Sequence, residues 1–383
     1  MKKILIVNSY YAPNILGGAE ISTQLLAEDL KKEYKVCILT TGAQKSGIIK
    51  DEKNGVEIFR IPCMNLYWPG EKKKRGNLKK LGWHFINAFN LSQYKLLEKL
   101  LVEIQPDIMH TQNLNGIGTY IWRIAKQLNI PTVHTTRDYA LFEPVNNQFV
   151  NKVLLHFNRV RSKYVDCVVG ISQFILDEHK QRGLFLNSEE STIHNIVNAK
   201  RYERKLRREG EPLVIGYFGQ LTKVKGIDLL VKAVSLLPAE VVKEFVVCGT
   251  GELEGMLWDI SQSDSRIILK GKVSLEEVNK QMANIDLTVV PSIWEEPFGR
   301  VIIESYNQGT PVLASKVGGI KEIVQEPKYL IDPIDITNIM NLIIEFQKTN
   351  KCTIEEEIIS SFKIAENYKR NIHLYLDQYK KLI

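Results

Sequence analysis

Apolar positions along this chain alternate between two rhythms. Short, nearly unbroken apolar runs at residues 3–8, 36–40, 56–61, 108–111, 132–135 and 167–170 predict buried strands. Between them, residues 18–33 place Ile21, Leu25, Leu26 and Leu30 at helical spacing, and residues 85–103 and 118–128 predict further helices. Residues 198–212, NAKRYERKLRREGEP, are polar and lack apolar period, which predicts an interdomain linker. The alternation then restarts with strands predicted at 213–218, 245–248, 267–269, 287–290, 311–314 and 329–331, separated by helices such as 227–237. Strands spaced by helices of this length form parallel βαβ units. The pattern therefore predicts α/β architecture: two tandem Rossmann-like doubly wound domains facing a cleft, with ligand at the carboxyl ends of the strands.

Composition narrows the class without changing this picture. With 383 residues, 44% hydrophobic and 25% charged, the chain has the make-up of a two-domain globular protein and not of a disordered one. No apolar run approaches the roughly 18–20 residues needed to span a bilayer, and the N-terminal ILIV is too short for a secretory leader, so it is expected to be the first strand. Five scattered cysteines with no C-x-x-C point to a reducing, cytoplasmic setting and away from a disulfide framework or zinc site.

Charge is unevenly placed. Residues 1–211 hold 32 Lys and Arg against 21 Asp and Glu, whereas residues 212–383 hold 19 against 23. The basic front half is thus expected to meet something anionic. The densest basic stretch, 66–86, interleaves Lys72, Lys73, Lys74, Arg75, Lys79 and Lys80 with Trp68, Leu81, Trp83 and Phe85. That mixture suits an anionic membrane surface, peripherally at the inner face of a plasma membrane, as well as it suits a solvated loop. Nucleic acid is a poorer partner, because no nucleic-acid module is visible.

Several chemistries are missing. The first strand leads into NSYYAPNILGG, not G-x-G-x-x-G, and GTGELEG at Gly249 has one residue too many before its third glycine. There is no P-loop, G-x-S-x-G or H-E-x-x-H, and no two aspartates stand two positions apart to hold a divalent cation. What is present is the stretch 291–324, PSIWEEPFGRVIIESYNQGTPVLASKVGGIKEIV, with Glu296 and Glu304 eight positions apart. A predicted strand ends in a Pro-Ser-aromatic loop, and Pro297 and Gly299 open a helix carrying Glu304. Main-chain amides at Phe298, Gly299 and Arg300, with the positive end of the helix dipole, form an expected anion site. The ordinary alternative is a crossover with two solvated glutamates. His134 is expected to be a satisfied strand-end histidine.

This segment resembles the signature of glycosyltransferase family 4, retaining sugar transferases of the GT-B fold, and the resemblance runs along nearly the whole chain. Tyr11, Ala12 and Pro13 with Gly17, Gly18 and Glu20 resemble the family's glycine-rich loop. PDIMH ending at His110, TRDY from Thr136 to Tyr139, GIS from Gly170 and HNIVN from His194 resemble its acceptor-domain motifs. Gly219, Gln220 and Leu221 with Lys225 and Gly226 resemble its G-R-L-x-x-x-K-G loop, and Gly249 and Gly251 its next strand end.

The resemblance implies an acceptor domain at 1–205, rejoined by a returning helix at 364–383, and a donor domain at 206–363. It implies transfer of a sugar from a nucleotide-diphosphate donor to a glycan or lipid-linked acceptor in cell-surface polysaccharide biosynthesis. No cofactor or metal is needed on this pattern. Glu296 would face the donor sugar, Glu304 the ribose hydroxyls, and Gly17, Gly18, Gly219, Gln220, Lys225 and the 298–300 amides the diphosphate. Two positions depart from the pattern: Arg137 stands where the family has histidine, and Gln220 where it has arginine. Three consequences are open: Arg137 takes over the missing charge as a catalytic cation, it only orients acceptor groups, or the chain is a weak or silent partner subunit. A sugar-nucleotide epimerase is the same-fold alternative.

Overall fold

The computed structural model describes every residue except Lys72, Lys74 and Lys205. The chain divides into two units: residues 1–196 with 371–383, and residues 197–370. In the first unit the strands are β1 (Lys3–Val7), β2 (Lys35–Gly42), β3 (Ile49–Lys53), β4 (Val56–Pro62), β5 (Ile108–Thr111), β6 (Thr132–Thr136), β7 (Cys167–Gly170) and β8 (Glu189–Thr192). Its helices are α1 (Gly18–Leu30), α2 (Asn77–Ala88), α3 (Leu91–Ile104), α4 (Ile121–Gln127), α5 (Gln148–Ser162) and α6 (Gln173–Gln181). The second unit has β9 (Leu213–Phe218), β10 (Val242–Cys248), β11 (Ile267–Gly271), β12 (Leu287–Val290), β13 (Val312–Ser315) and β14 (Leu330–Ile331). Its helices are α7 (Ile227–Leu236), α8 (Glu254–Ser263), α9 (Leu275–Asn284), α10 (Arg300–Asn307), α11 (Ile320–Ile323), α12 (Ile336–Gln347) and α13 (Lys351–Lys369). A final helix, α14 (Asn371–Leu382), belongs to the first unit.

The first sheet runs β3-β4-β2-β1-β5-β6-β7-β8, parallel except for β3, and the second runs β11-β10-β9-β12-β13-β14, parallel throughout. Each first strand, β1 or β9, is therefore flanked by strands reached from opposite directions. At such a reversal the loops leaving the strand ends diverge and open a crevice. Central strands are apolar on both faces: Ile4, Leu5, Ile6 and Val7 are all fully buried, as helices covering both faces of a parallel sheet require.

Three expectations are corrected. The predicted linker at 198–212 is a clamp on the second unit. Asn307 Nδ2 and Gln308 Nε2 donate to the carbonyls of Ala199 (3.0 Å) and Lys200 (2.9 Å), and Arg201 Nε donates to the Asn307 carbonyl at the end of α10 (3.2 Å). Arg207 is buried and donates to the carbonyls of Glu211 and Gln347. Cations that satisfy helix-terminal carbonyls leave no apolar period to be read. The boundary accordingly falls after Ile196, not at 205.

The predicted returning helix 364–383 breaks between Lys369 and Asn371, and only α14 returns. Tyr375 and Tyr379 bury against the first unit, and Tyr379 Oη lies 2.6 Å from His110 Nδ1. The single helix predicted at 85–103 is two helices. Asn90 interrupts it as the N-cap of α3, its side chain accepting from the Gln93 amide at 3.0 Å. All five cysteines are free, and among the described residues no helix is long and apolar enough to cross a membrane.

Candidate active site

In the second unit, the loops leaving β9 and β12 are fastened to each other. A single turn at Lys223–Lys225 follows β9, and the Val224 carbonyl accepts from the amides of Ile293 (3.0 Å) and Trp294 (3.1 Å). Gly226 ends the turn with φ +69°, and a Cβ there would stand 1.9 Å from the Pro291 carbonyl oxygen. Only glycine permits this approach. The fastening brings Lys225 Nζ into an ion pair with Glu296 Oε1, to which Ser292 Oγ also donates at 2.7 Å. The ammonium also lies 5.2 Å from the Trp294 ring centroid, within cation–π range.

From the other side, the turn after β13 grips the same carboxylate's backbone. The Gly319 amide donates to the Glu296 carbonyl at 2.8 Å, and the Gly318 amide donates to Glu295 Oε2. Gly318 has φ +49°, and a Cβ would come 2.3 Å from the Glu296 carbonyl oxygen. Glu296 is thus held by three loops, and its side chain is only 11% exposed. Lys225 and Ser292 supply the polar partners that a side chain so removed from water requires.

Glu304 lies on α10, whose N-cap is Gly299 with φ +106° and no side-chain cap bond. Arg300 Nε donates to Glu304 Oε1 at 2.7 Å, one helical turn apart and nearly buried. The Phe298 ring is buried, edge-on to Tyr368 at 6.0 Å, so it anchors the helix start and offers a ligand only its main chain. Gly219 and Gln220 are exposed at the end of β9, where the Gln220 carbonyl accepts from Tyr217 Oη at 2.6 Å.

The first unit has its own cluster at the ends of β1, β5 and β6. Gly17 and Gly18 are exposed, and the Gly17 amide donates to Glu20 Oε2 at 2.8 Å. Burial pushes the Glu20 pKa up, opposed by main-chain amides and by the Arg137 charge. Arg137 is anchored rather than loose: Nε donates to Gln112 Oε1 at 2.7 Å and a terminal nitrogen to Asn195 Oδ1 at 2.6 Å. Thr23 Oγ1 donates to the same Gln112 oxygen at 2.6 Å. Asp138 is half-buried, accepts from Asn113 Nδ2 and the Ala140 amide, and has its pKa raised by desolvation. His134 is a core histidine, stacked on Phe185 and bonded to Thr111 Oγ1 at 2.9 Å, with its pKa pushed well down by burial.

Sequence reasoning placed Lys225, Glu296, Gly299, Arg300 and Glu304 within one unit, and the structure brings Lys225 to Glu296 and Arg300 to Glu304. It missed Ser292, Gln112, Asn195 and the Gly318–Gly319 turn as site residues. Ser292 and the glycine pair stand inside the stretch 291–324 and were legible as residues, but not as contacts.

Comparison with known proteins bears on the fold and the family. Residues 16–201 match the family described as Glycosyltransferase Family 4, and residues 198–360 match glycosyl transferases group 1. An uncharacterized 42.6 kDa protein in the cps region of Klebsiella pneumoniae is 34% identical over 84% of this chain and 87% of its own length. Among solved structures, sucrose-phosphate synthase from Thermosynechococcus elongatus superposes over all of both chains with a TM-score of 0.70 at 19% identity. Anabaena HepE in complex with UDP-glucose covers 99% of this chain and 100% of its own with a TM-score of 0.66, also at 19% identity. The two parallel-sheet α/β units are those of GT-B glycosyltransferases. The chain belongs to glycosyltransferase family 4.

Proposed function

We propose that this glycosyltransferase moves a sugar, with retention of anomeric configuration and without a metal, from a nucleotide-diphosphate donor to a glycan or lipid-linked acceptor in polysaccharide biosynthesis. The observation that carries this is the Lys225–Glu296–Ser292 cluster at the strand reversal of the second unit. Support for the donor class comes from HepE, which is solved with UDP-glucose. Support for the pathway comes from the relative in a cps region.

As the bond between the anomeric carbon and the leaving phosphate oxygen breaks, positive charge grows on the sugar and negative charge on the diphosphate. A fixed carboxylate at Glu296 stabilises the first. Lys225 and the amides at the start of α10 stabilise the second. Both interactions strengthen toward the transition state, which is the requirement for catalysis rather than mere binding. The departing phosphate then takes the acceptor hydroxyl proton on the same face, so neither glutamate forms a covalent bond. Arg137, fixed by Gln112 and Asn195, serves as a permanent cation that orients the acceptor side.

The test is a thermal-shift screen with UDP-, GDP-, ADP- and CMP-sugars, followed by nucleoside diphosphate release from the stabilising donor. Release that depends on Glu296 is expected. A donor that stabilises the protein but is never cleaved, with or without acceptor extracts, would favour a silent partner subunit instead.

A further inference from the structure

We propose that the outer faces of α2 and α5 form one docking surface for an anionic lipid bilayer. The basic stretch 66–86 suggested a membrane partner, but its two tryptophans are not free to insert. Trp83 is buried with Nε1 donating to the Tyr67 carbonyl at 2.8 Å, and Trp68 Nε1 donates to Thr41 Oγ1 at 2.9 Å. Lys72 and Lys74 lie outside the described residues. Arg75 pairs with Glu71.

The structure offers a different set. Helix α2 turns Trp83 and Ala88 inward and presents Leu78, Phe85, Ile86 and Phe89 to solvent, Leu78 at 86% exposure. Leu78, Phe85 and Phe89 fall on one helical stripe at i, i+7 and i+11, with Gly82 at i+4. A Cβ on Gly82 would touch Leu66 Cδ1 at 3.5 Å, so the exposed Leu66 fills the gap in the stripe. An ordinary surface helix carries polar residues there.

Helix α5 packs beside α2 through Val150 and Leu154 against Ala88, and turns Phe149 (74% exposed) and Val160 outward. The Phe89 ring meets Phe157 of α5 edge-on at 4.7 Å, joining the two stripes. Apolar exposure on this scale marks an interaction face.

Charge selects the partner. Residues 72–97 contain no Asp or Glu and seven Lys or Arg, and residues 144–165 contain none and four. Lys79, Lys80 and Lys152 are exposed and form no ion pair among the described residues. A second copy of this chain would bring the same cations face to face, which disfavours self-association. Nucleic acid would use the cations but not the leucine and phenylalanine stripe. An anionic bilayer uses both, the cations at the head groups and the apolar stripe at the acyl boundary.

Co-sedimentation with vesicles tests this without any sugar, so its outcome is independent of the proposed transfer reaction. The parent protein is expected to bind phosphatidylglycerol/phosphatidylcholine vesicles at least about tenfold more tightly than pure phosphatidylcholine ones. K79Q/K80Q/K152Q should lose about tenfold at low salt and show a flattened salt dependence. L78S/F149S should lose the salt-resistant remainder. Trp258→Ser, exposed on α8, should sediment like the parent. Leu78 makes so little packing contact that L78S alone folds and keeps the test open if the double variant does not. A parent that ignores anionic vesicles, or an L78S variant that binds them unchanged, overturns the proposal. So does a stripe whose loss alters only a concentration-dependent dimer in sedimentation, or only capture of an acidic protein.

Discussion

Lys225 and Glu296 are paired across two loops that come from different strands, β9 and β12, and the Val224 carbonyl holds those loops together. The cation proposed for the phosphate and the carboxylate proposed for the sugar therefore restrain one another. On the proposed reaction, an incoming diphosphate would compete with Glu296 for the ammonium and leave the carboxylate to Ser292 and the sugar.

The two members of this pair should separate kinetically. Glu296→Gln is expected to lower kcat at least about tenfold, a loss near 1.4 kcal/mol of transition-state stabilisation. Lys225→Met should chiefly raise the donor KM. Steady-state assays of nucleoside diphosphate release decide this, and an unchanged kcat in Glu296→Gln would remove its assigned role.

Glu304 should matter for nucleotide affinity. Glu304→Ala is expected to weaken binding of the bare nucleoside diphosphate roughly tenfold, because it removes the proposed acceptor for ribose hydroxyls and the Glu304–Arg300 ion pair. Calorimetry with the diphosphate identified by the donor screen measures it. Equal affinities in parent and variant would place the ribose elsewhere.

Turnover should persist in excess EDTA. A lysine and the amides at the start of α10 are proposed to neutralise the diphosphate, and the chain has no D-x-D motif. Activity that vanishes with chelation and returns with magnesium or manganese would contradict this site.

Two glycine substitutions should differ sharply. Gly226→Ala and Gly210→Ala both place Cβ on a positive φ, +69° and +79°, but only at position 226 does it strike backbone. Gly210→Ala should cost about 1 kcal/mol of stability, whereas Gly226→Ala should cost several and separate Lys225 from Glu296. Urea titration and donor cleavage of the two variants give the comparison.

His110 should make the protein sensitive to acid. Burial lowers its pKa to about 3, with a lesser contribution from the Arg137 charge, against an ordinary value of 6.5. Between those values the unfolded chain binds the proton and the folded chain does not, so stability falls as pH drops from 6.5 towards 3. The slope from this group is on the order of 1 kcal/mol per pH unit. His84 and His179, both lowered to about 4, add in the same direction, while Glu20 and Asp138, raised by burial, act against them. Chemical denaturation at pH 7.5 and 5.0 should show a shallower pH dependence in His110→Gln than in the parent.

Most of the fold could be read from apolar period, because parallel strands buried on both faces leave unbroken runs. Where burial is one-sided or absent, that signal disappears. Strand β3 is exposed at every residue and meets β4 through its backbone ladder and through surface contacts of Asp51 with Arg60 and Lys50 with Phe59, so hydrophobicity could not show it. Its mark was local instead: Asn54 and Gly55, with φ +54° and +76°, make the two-residue turn that joins Lys53 to Val56. Arg207 reads as part of a solvated run because charge predicts exposure, and only the fold supplies the carbonyls that bury it. At the candidate site, residue types suggested an anion-binding loop. Which cation meets which carboxylate depended on hydrogen bonds from Ile293 and Trp294 to Val224, residues far apart in the chain.

The placement of α14 bears on how the protein is made. Synthesis runs through the whole second unit, from Val197 to Arg370, before Tyr375 and Tyr379 are added. Until those two tyrosines emerge, His110 lacks its Nδ1 partner and the apolar face around Tyr34 and Leu30 lies open to water. Although it is translated first, the N-terminal unit is thus the last to close, and a nascent chain stalled short of residue 375 would depend on chaperones to keep that face from aggregating.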